Sequence, residues 1–448
     1  MTVEPIEAPE QGVHLTLDAS AAAAAGPRFF YGWRIVGAAF VASFTTAGVQ
    51  AYVAGAFLVP MSDDLGWTRA QFLYGQTLGQ FFMAFAGFFI GAYVDRWGAR
   101  PLMLAGAVIL AATLVLVSMV TELWQWILLR GTLSMLGTAL LGNLVVNVTI
   151  AKWFVEKRGQ AVGLASMGVS FAGIVLPSLV TLIVDEYGWR AGWRFLAGFV
   201  LALGIPAALT MRRSPEDFGL HPDGKSAADM ATGAGAAAIA DYANSFTRRQ
   251  ALKTSTLYVL VVAFGLGSLG LSTMIIITIP YLSDSGFDRG FAALMVTTLA
   301  IPAAVTKPMW GYLGDRWSER LSTAATFALN AGGLVLIIAA TNAHAEWPLI
   351  VGYVLVGAGI GGQIPLQESI WATYFGRRYI GAVRSAAMPL TMLFSATGPL
   401  VVAASYDRFG AYEGALYGVA AGWAIAAVVI MFVRRPLHPD TVVARVGD

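Results

Sequence analysis

Two stretches decide how this chain is read: Gly91-Ala92-Tyr93-Val94-Asp95-Arg96-Trp97-Gly98-Ala99-Arg100 and Gly311-Tyr312-Leu313-Gly314-Asp315-Arg316-Trp317-Ser318-Glu319-Arg320. They share Gly, Asp, Arg, Trp and a final Arg at a constant separation of 220 residues. The same separation relates Pro60, Gly66 and Arg69 to Pro280, Gly286 and Arg289. Further on, Trp153-Phe154 aligns with Tyr374-Phe375 and Ala161 with Ala382 at 221, and Gly188 with Gly410 at 222. A separation that drifts so little over about 130 positions marks an internal duplication.

What is duplicated is apolar. Of 448 residues, 57% are hydrophobic and 12% charged, whereas soluble domains carry about 25% charged and about 45–50% apolar residues. The mean hydropathy of +0.68 fits a chain solvated largely by lipid. A helix that crosses a bilayer needs about 20 apolar residues, and twelve such runs are present. They cover 33–60, 69–93, 101–121, 123–151, 159–184, 193–211, 253–281, 290–313, 321–341, 347–375, 380–405 and 412–433. Helices are expected because a lipid-exposed strand edge leaves backbone groups unpaired. The expected fold class is an all-α integral membrane protein with twelve transmembrane helices in two pseudo-symmetric six-helix halves.

The halves are expected at 28–211 and 253–433. They are flanked by a disordered tail at 1–27 and a second tail at 434–448, and are joined by a polar linker at 212–252 with an Ala/Gly run around 231–240. Residues 1–27 lack a basic segment before an apolar core, so no cleaved signal peptide is expected. An even number of spans puts both termini on one side. Placing them in the cytoplasm leaves twenty Lys and Arg inside and five outside (Arg69, Arg190, Arg194, Arg289 and Arg408), as the positive-inside rule requires. The expected location is a plasma membrane of the bacterial inner-membrane type. A net charge of +2 argues against nucleic-acid binding. The absence of cysteine removes thiolate chemistry, and the four histidines form no ligand pair. No glycine-rich phosphate loop precedes a soluble helix. Neither a cofactor nor a metal is expected, and no enzyme.

Gly91-x-x-x-Asp95-Arg96-x-Gly98-x-Arg100 resembles the loop between the second and third helices of the major facilitator superfamily, and the resemblance extends over residues 30–433. Within that superfamily, Tyr31-Gly32-Trp33-Arg34-Ile35-Val36 looks like the entry of the monocarboxylate porters. So does Trp153-Phe154-x-x-Lys157-Arg158-Gly159-x-Ala161-x-Gly163-x-Ala165. Lys307-Pro308-x-x-Gly311 is similar to the Arg-Pro-x-x-Gly of those porters and of the oxalate/formate antiporters, where the cation binds the substrate carboxylate. The chain departs from the porters where their first-helix lysine falls near Ala51 or Tyr52, and where their eighth-helix aspartate is Ala303. The resemblance implies two halves rocking about a central site. It also implies a cytoplasmic gate of Asp95, Arg96, Arg100, Asp315, Arg316 and Arg384, with Asp95 packed near Arg384.

A charge inside a span is costly and is either paired or functional. Four lie clearly within the runs: Arg130, Lys307, Glu368 and Arg384. Lys307 has no acid within two turns on its own helix; it either receives a substrate carboxylate, pairs with Glu368 or snorkels to the interface. Arg130 begins Arg130-Gly131-x-x-x-x-x-Gly137, which resembles a fourth-helix pattern tied to proton coupling and packing. It either bonds helix ends and carbonyls or serves coupling and substrate. Glu368 is a candidate proton carrier, with a salt bridge to Arg384 or Arg378 as the alternative. Asn143, Asn147, Gln363, Gln50, Tyr52, Gln76 and Gln80 are the polar residues that could complete a substrate site, or equally hydrogen-bond between helices. Lys307, Arg130, Asn143, Gln363 and Tyr52 are the expected substrate contacts. Trp67, Trp97, Trp189 and Trp317 fall at span ends as interface anchors.

The function these residues suggest is secondary active transport of a small organic anion, a mono- or dicarboxylate, by alternating access coupled to protons. The expected partners are a small organic acid, a proton and the bilayer, with the monomer as the working unit. The alternative is a proton-coupled exporter of hydrophobic compounds. Against it, the fifth run reads Gly163-x-x-x-x-Gly168-x-x-x-x-Gly173-x-x-x-Pro177 and lacks the Gly-Pro-x-x-Gly-Gly run of antiporting drug exporters.

Overall fold

The computed structural model describes residues 30–226, 229, 239, 241–243 and 245–436. The expected tail at 1–27, most of 434–448 and most of the Ala/Gly run lie outside the described residues. The described chain is helical and holds no strand. In the first half the spans are α1 (Gly32–Tyr52), α2 (Arg69–Trp97), α3 (Ala99–Val117), α4 (Leu123–Trp153), α5 (Arg158–Tyr187) and α6 (Trp189–Thr210). The second half holds α7 (Ser255–Asp284), α8 (Arg289–Arg316), α9 (Glu319–Asn342), α10 (Glu346–Phe375), α11 (Ile380–Phe409) and α12 (Glu413–Met431). Among the described residues eleven helices are long and apolar enough to span a membrane; α2 completes the twelve as Tyr74–Met83 and Phe85–Trp97, bent by 40°.

The duplication is visible in how the helices begin. Gly66 and Gly286 both adopt positive φ, 68° and 90°, a conformation that glycine enters without steric cost. Two residues on, Thr68 accepts from the Gln71 N–H, and Asp288 accepts from the N–H groups of Gly290 and Phe291. These side chains satisfy donors that the first turns of α2 and α8 would leave open. The repeated residues are therefore a repeated stop-and-start signal.

Two spans depart from regular helix. α1 passes through a π-turn at Gly48–Tyr52 and continues beyond Val53 as Ala54–Leu65. α4 contains a π-turn at Leu129–Leu133 and breaks at Gly142, whose extended backbone (ψ −162°) lets the helix restart at Asn143. Widened turns release backbone carbonyls. Their use appears at the site.

The halves meet along α2 against α11 and α5 against α8. Small residues line these seams. A Cβ on Gly159 would stand 2.6 Å from the Gly311 carbonyl oxygen, and one on Gly163 would stand 2.7 Å from that of Lys307. On the other seam, Gly91 and Gly381 each face the other's carbonyl oxygen so closely that neither has room for a Cβ. Close backbone approach of this kind replaces the hydrophobic drive that lipid does not supply. The side carrying Asp95 and Asp315 is called the motif face below. Every hydrogen bond found between the halves among the described residues lies between Lys307 and that face.

Candidate functional site

Lys307 sits in α8, 4% exposed, with its ammonium aimed across the seam. The Nζ donates to the Ser166 carbonyl oxygen at 3.0 Å and to the Ser170 hydroxyl at 2.7 Å, both on α5. The glycine at 163 allows this approach, because the α8 backbone passes directly against it. No carboxylate lies within salt-bridge distance of Lys307 among the described residues. The expected alternatives, a pair with Glu368 or a snorkelling ammonium, are both replaced by this arrangement. The cation is held by neutral acceptors only, and an ammonium has three donors.

Glu368 is held elsewhere. Its carboxylate accepts from Arg384 Nε at 3.0 Å and Nη2 at 2.6 Å, a two-pronged pair joining α10 to α11. Arg384 also lies 5.3 Å from the Trp371 ring centroid. A partly buried carboxylate gripped this way is a poor free proton carrier, because protonation would strand the guanidinium.

Arg130 is 2% exposed and has no carboxylate partner among the described residues. Its Nη1 donates to Ser134 Oγ, and its Nη2 reaches the carbonyl oxygens of Val49 (2.9 Å) and Gln50 (2.8 Å) and Gln76 Oε1 (3.0 Å). The Val49 and Gln50 carbonyls belong to the α1 π-turn, so the irregular turn supplies the acceptors for the guanidinium. Gln76 also donates to the Gln50 carbonyl oxygen, tying α2 into the same cluster. Thus α1, α2 and α4 meet at one cation.

The uncharged candidates are scattered around these two centres. Asn143, exposed at the restart of α4, accepts from Ser43 of α1 at 3.0 Å. Tyr52 is 39% exposed, and its ring covers Gly173 of α5. Gln363 is 3% exposed and packs against Gly267 of α7. Both ends of its amide lack a hydrogen-bond partner among the described residues, which in a buried amide points to an additional polar partner such as water or ligand. No hydrogen bond joins Gln363, Asn143 or Tyr52 to Lys307 among the described residues.

At the motif face the two signature aspartates act alike. Asp95 accepts from the N–H groups of Gly381 (3.3 Å) and Ala382 (2.8 Å), the second and third residues of α11. Asp315 accepts from Gly159 (2.7 Å) and Gln160 (2.8 Å), the second and third residues of α5. Each half thus caps a helix N-terminus of the other, where open donors and the helix dipole favour a carboxylate. Asp95 gains a cation as well, Lys152 Nζ at 3.0 Å.

The expected gate is corrected on its basic members. Arg384 turns to Glu368 and not to Asp95. Arg96 lies over the Trp97 ring, Arg316 donates to the Tyr312 hydroxyl, and Arg96, Arg100 and Arg316 are exposed. The reason is helical geometry: Gly91 and Asp95, or Gly311 and Asp315, share a face at i, i+4, while the next residue is about 100° further round. Trp189, expected as an interface anchor, is 5% exposed and donates to Asp64 at 3.0 Å. The sequence reading missed Ser166, Ser170 and Lys152. The serines carry only an i, i+4 spacing on a small-residue helix, and Lys152 looks like an ordinary basic residue at a helix end.

The pattern of the Major Facilitator Superfamily matches residues 39–274 and, a second time, 262–447. Monocarboxylate transporter 3 of Rattus norvegicus is 27% identical over 84% of this chain and 74% of its own length. The fujikurins efflux protein of Gibberella fujikuroi is 29% identical, but over 34% of this chain. The chain matches 32% of that protein's length and 62% of the length of an MFS-type transporter of Gibberella moniliformis. Among solved structures, a proton:xylose symporter bound to a bromodeoxyglucose superimposes with a TM-score of 0.72, at 14% identity, covering 90% of this chain and 96% of its own. A fucose transporter described in the outward conformation gives 0.66 at 15% identity, with 89% and 98% covered.

Proposed function

Because the chain belongs to the major facilitator superfamily, we propose that it is a secondary transporter of a small organic anion, with Lys307 receiving the carboxylate. One observation carries this reading: a buried ammonium at the seam between the halves has only neutral acceptors. A carboxylate arriving beside it would form a charge-assisted bond and offset the cost of burying the cation. Its Ser166 and Ser170 partners belong to the opposite half, so occupancy and the packing of α5 on α8 are linked. A ligand shifts a conformational equilibrium only by binding the two states unequally, and a site built across a seam meets that condition. The similarity to a monocarboxylate transporter agrees with it.

We place the motif face in the cytoplasm on the bias of Lys and Arg, in a bacterial inner membrane. The structure then stands with its cytoplasmic side sealed by the two aspartate caps, and transport proceeds by their release. A proton-coupled cycle would carry its proton on the substrate carboxyl, since Glu368 is gripped by Arg384.

The alternative is a proton-coupled exporter of hydrophobic compounds. It is favoured by the similarity to the fujikurins efflux protein over a third of this chain. Thermal unfolding of the purified protein against a panel of organic acids and hydrophobic compounds separates the two. Stabilisation by carboxylates that disappears in Lys307→Ala supports the anion carrier. Stabilisation by hydrophobic compounds alone, unchanged in Lys307→Ala, removes it.

A further inference from the structure

The described ends of the segment between the halves are fixed one to each half, and each end sends a carboxylate to the half it is not fixed to. Its first part docks on the N-terminal half. Trp153 Nε1 donates to the Arg212 carbonyl oxygen, Arg213 Nη1 to that of Arg96, and Asp223 accepts from the N–H groups of Val155, Glu156 and Lys157 at 3.0–3.1 Å. From this part Glu216 pairs with Nη2 of Arg377, which lies between α10 and α11 of the other half.

The last part docks on the C-terminal half. Phe246 N–H donates to the Phe375 carbonyl oxygen at 2.8 Å, and Ser245 Oγ accepts from the Arg378 N–H at 3.1 Å. Tyr242 lies beneath the guanidinium groups of both Arg377 and Arg378. From this part Asp241, 4% exposed, reaches Arg158 Nη2 at 3.4 Å, at the start of α5 in the N-terminal half. Asp241 also lies 3.5 Å from Arg377 Nε.

We propose that Glu216 and Asp241 form a reciprocal clasp that holds the motif face shut and sets how often it opens. They are positioning residues, acting through Arg377 and Arg158. These arginines are 4% and 1% exposed, and each also donates a hydrogen bond across the seam. Arg377 donates to the Lys152 carbonyl oxygen, and Arg158 to Thr373 and to the Phe154 and Ala151 carbonyl oxygens. Parting α5 from α8 and α2 from α11 separates each carboxylate from its arginine, because each is anchored to the half that moves away. The Asp241–Arg158 pair is buried on both sides, so it is costly to break one partner at a time and salt screens it little, whereas Glu216 meets the buried Arg377 from an exposed position. The connecting segment is thereby a third member of the gate beside the two aspartate caps.

The chain has no cysteine, so one can be introduced without background. Ser385→Cys suits the purpose: Ser385 is fully buried on the α2–α11 seam, where a Cβ on Gly91 would stand 2.7 Å from its own Cβ. Purified full-length protein carrying Ser385→Cys is treated with a water-soluble maleimide, and the labelling rate reads the fraction of time the motif face is open. Asp241→Asn should raise that rate about tenfold or more, and Asp241→Glu, which keeps the charge, should raise it less. Asp217→Asn, which removes only an exposed pair with Arg213, should leave the rate at the parent value. In the Arg158→Gln background, Asp241→Asn should add nothing further. An unchanged rate in Asp241→Asn overturns the clasp. So does an equal rise in Asp217→Asn, or a full additional rise on top of Arg158→Gln. No substrate enters this measurement, so its outcome is independent of what Lys307 binds.

Discussion

The ammonium of Lys307 on α8 lies 2.7 Å from the hydroxyl of Ser170 on α5, a bond between two halves of the molecule made without any carboxylate. If that cation serves an anion, Lys307→Ala should abolish uptake of labelled carboxylates into proteoliposomes while the protein still inserts. Lys307→Arg should retain part of it. Ser170→Ala should be milder, weakening apparent affinity by roughly ten- to a hundredfold, since a hydrogen bond to a charged group contributes about 1.5–3 kcal/mol. Wild-type uptake in Lys307→Ala removes the proposed site.

Glu368 and Arg384 make a pair whose side chains are 14% and 11% exposed. Glu368→Gln should therefore lower stability by about 1–3 kcal/mol by leaving a partly buried guanidinium uncompensated, and Glu368→Leu with Arg384→Met should recover much of it. Denaturant unfolding in detergent measures both. A Glu368→Gln protein with normal stability and altered pH dependence of uptake would return Glu368 to the role of proton carrier.

Gly91 and Gly311 each face a backbone carbonyl of the other half with no room for a Cβ. Alanine at either position should keep the motif face from closing, so that transport falls at least about tenfold while each half stays folded. Spin labels on the exposed Trp97→Cys and Trp317→Cys positions would show a longer separation than in the parent. An unaltered distance distribution in Gly91→Ala would mean that the seam adapts.

Arg130 uses one fork to reach acceptors on α1 and α2 and one on its own α4. Lysine has the charge without that geometry, so Arg130→Lys should destabilise nearly as much as Arg130→Gln. The thermal midpoints of the two variants decide it: a midpoint for Arg130→Lys at the parent value would make the charge alone responsible.

Outside the spans, the guanidinium of Arg190 beside Asp64, 2.7 Å away, holds that carboxyl below its ordinary range, with Trp189 assisting. A carboxyl shifted down stabilises the fold above its unfolded pKa and gives this up as pH falls through the folded one. The unfolding midpoint of the parent should thus fall more steeply in acid than that of Asp64→Asn. Superimposable pH profiles would show that the bond adds nothing.

Much of this was legible in one dimension. The repeated glycines at 66 and 286 are local signals, because a turn is decided by residues within four positions of one another. The four charges inside spans were identifiable for the same kind of reason: the cost of a charge in lipid depends on the run around it. Their partners were not. Glu368 could be weighed against Arg378 and Arg384 by helix ends alone, and only the crossing of α10 and α11 selects Arg384. Ser166 and Ser170 carry no mark that an ammonium from the other half will arrive.

The amino-acid sequence by itself determined the twelve helices, the duplication and the presence of costly charges, because hydropathy, helical period and turn chemistry act over short stretches of chain. Tertiary structure alone decided which side is sealed, that the signature aspartates cap helices of the opposite half, and that the polar segment between the halves reaches back to both. Those outcomes depend on where rigid helices cross, and a crossing joins residues more than a hundred positions apart whose identities say nothing of each other.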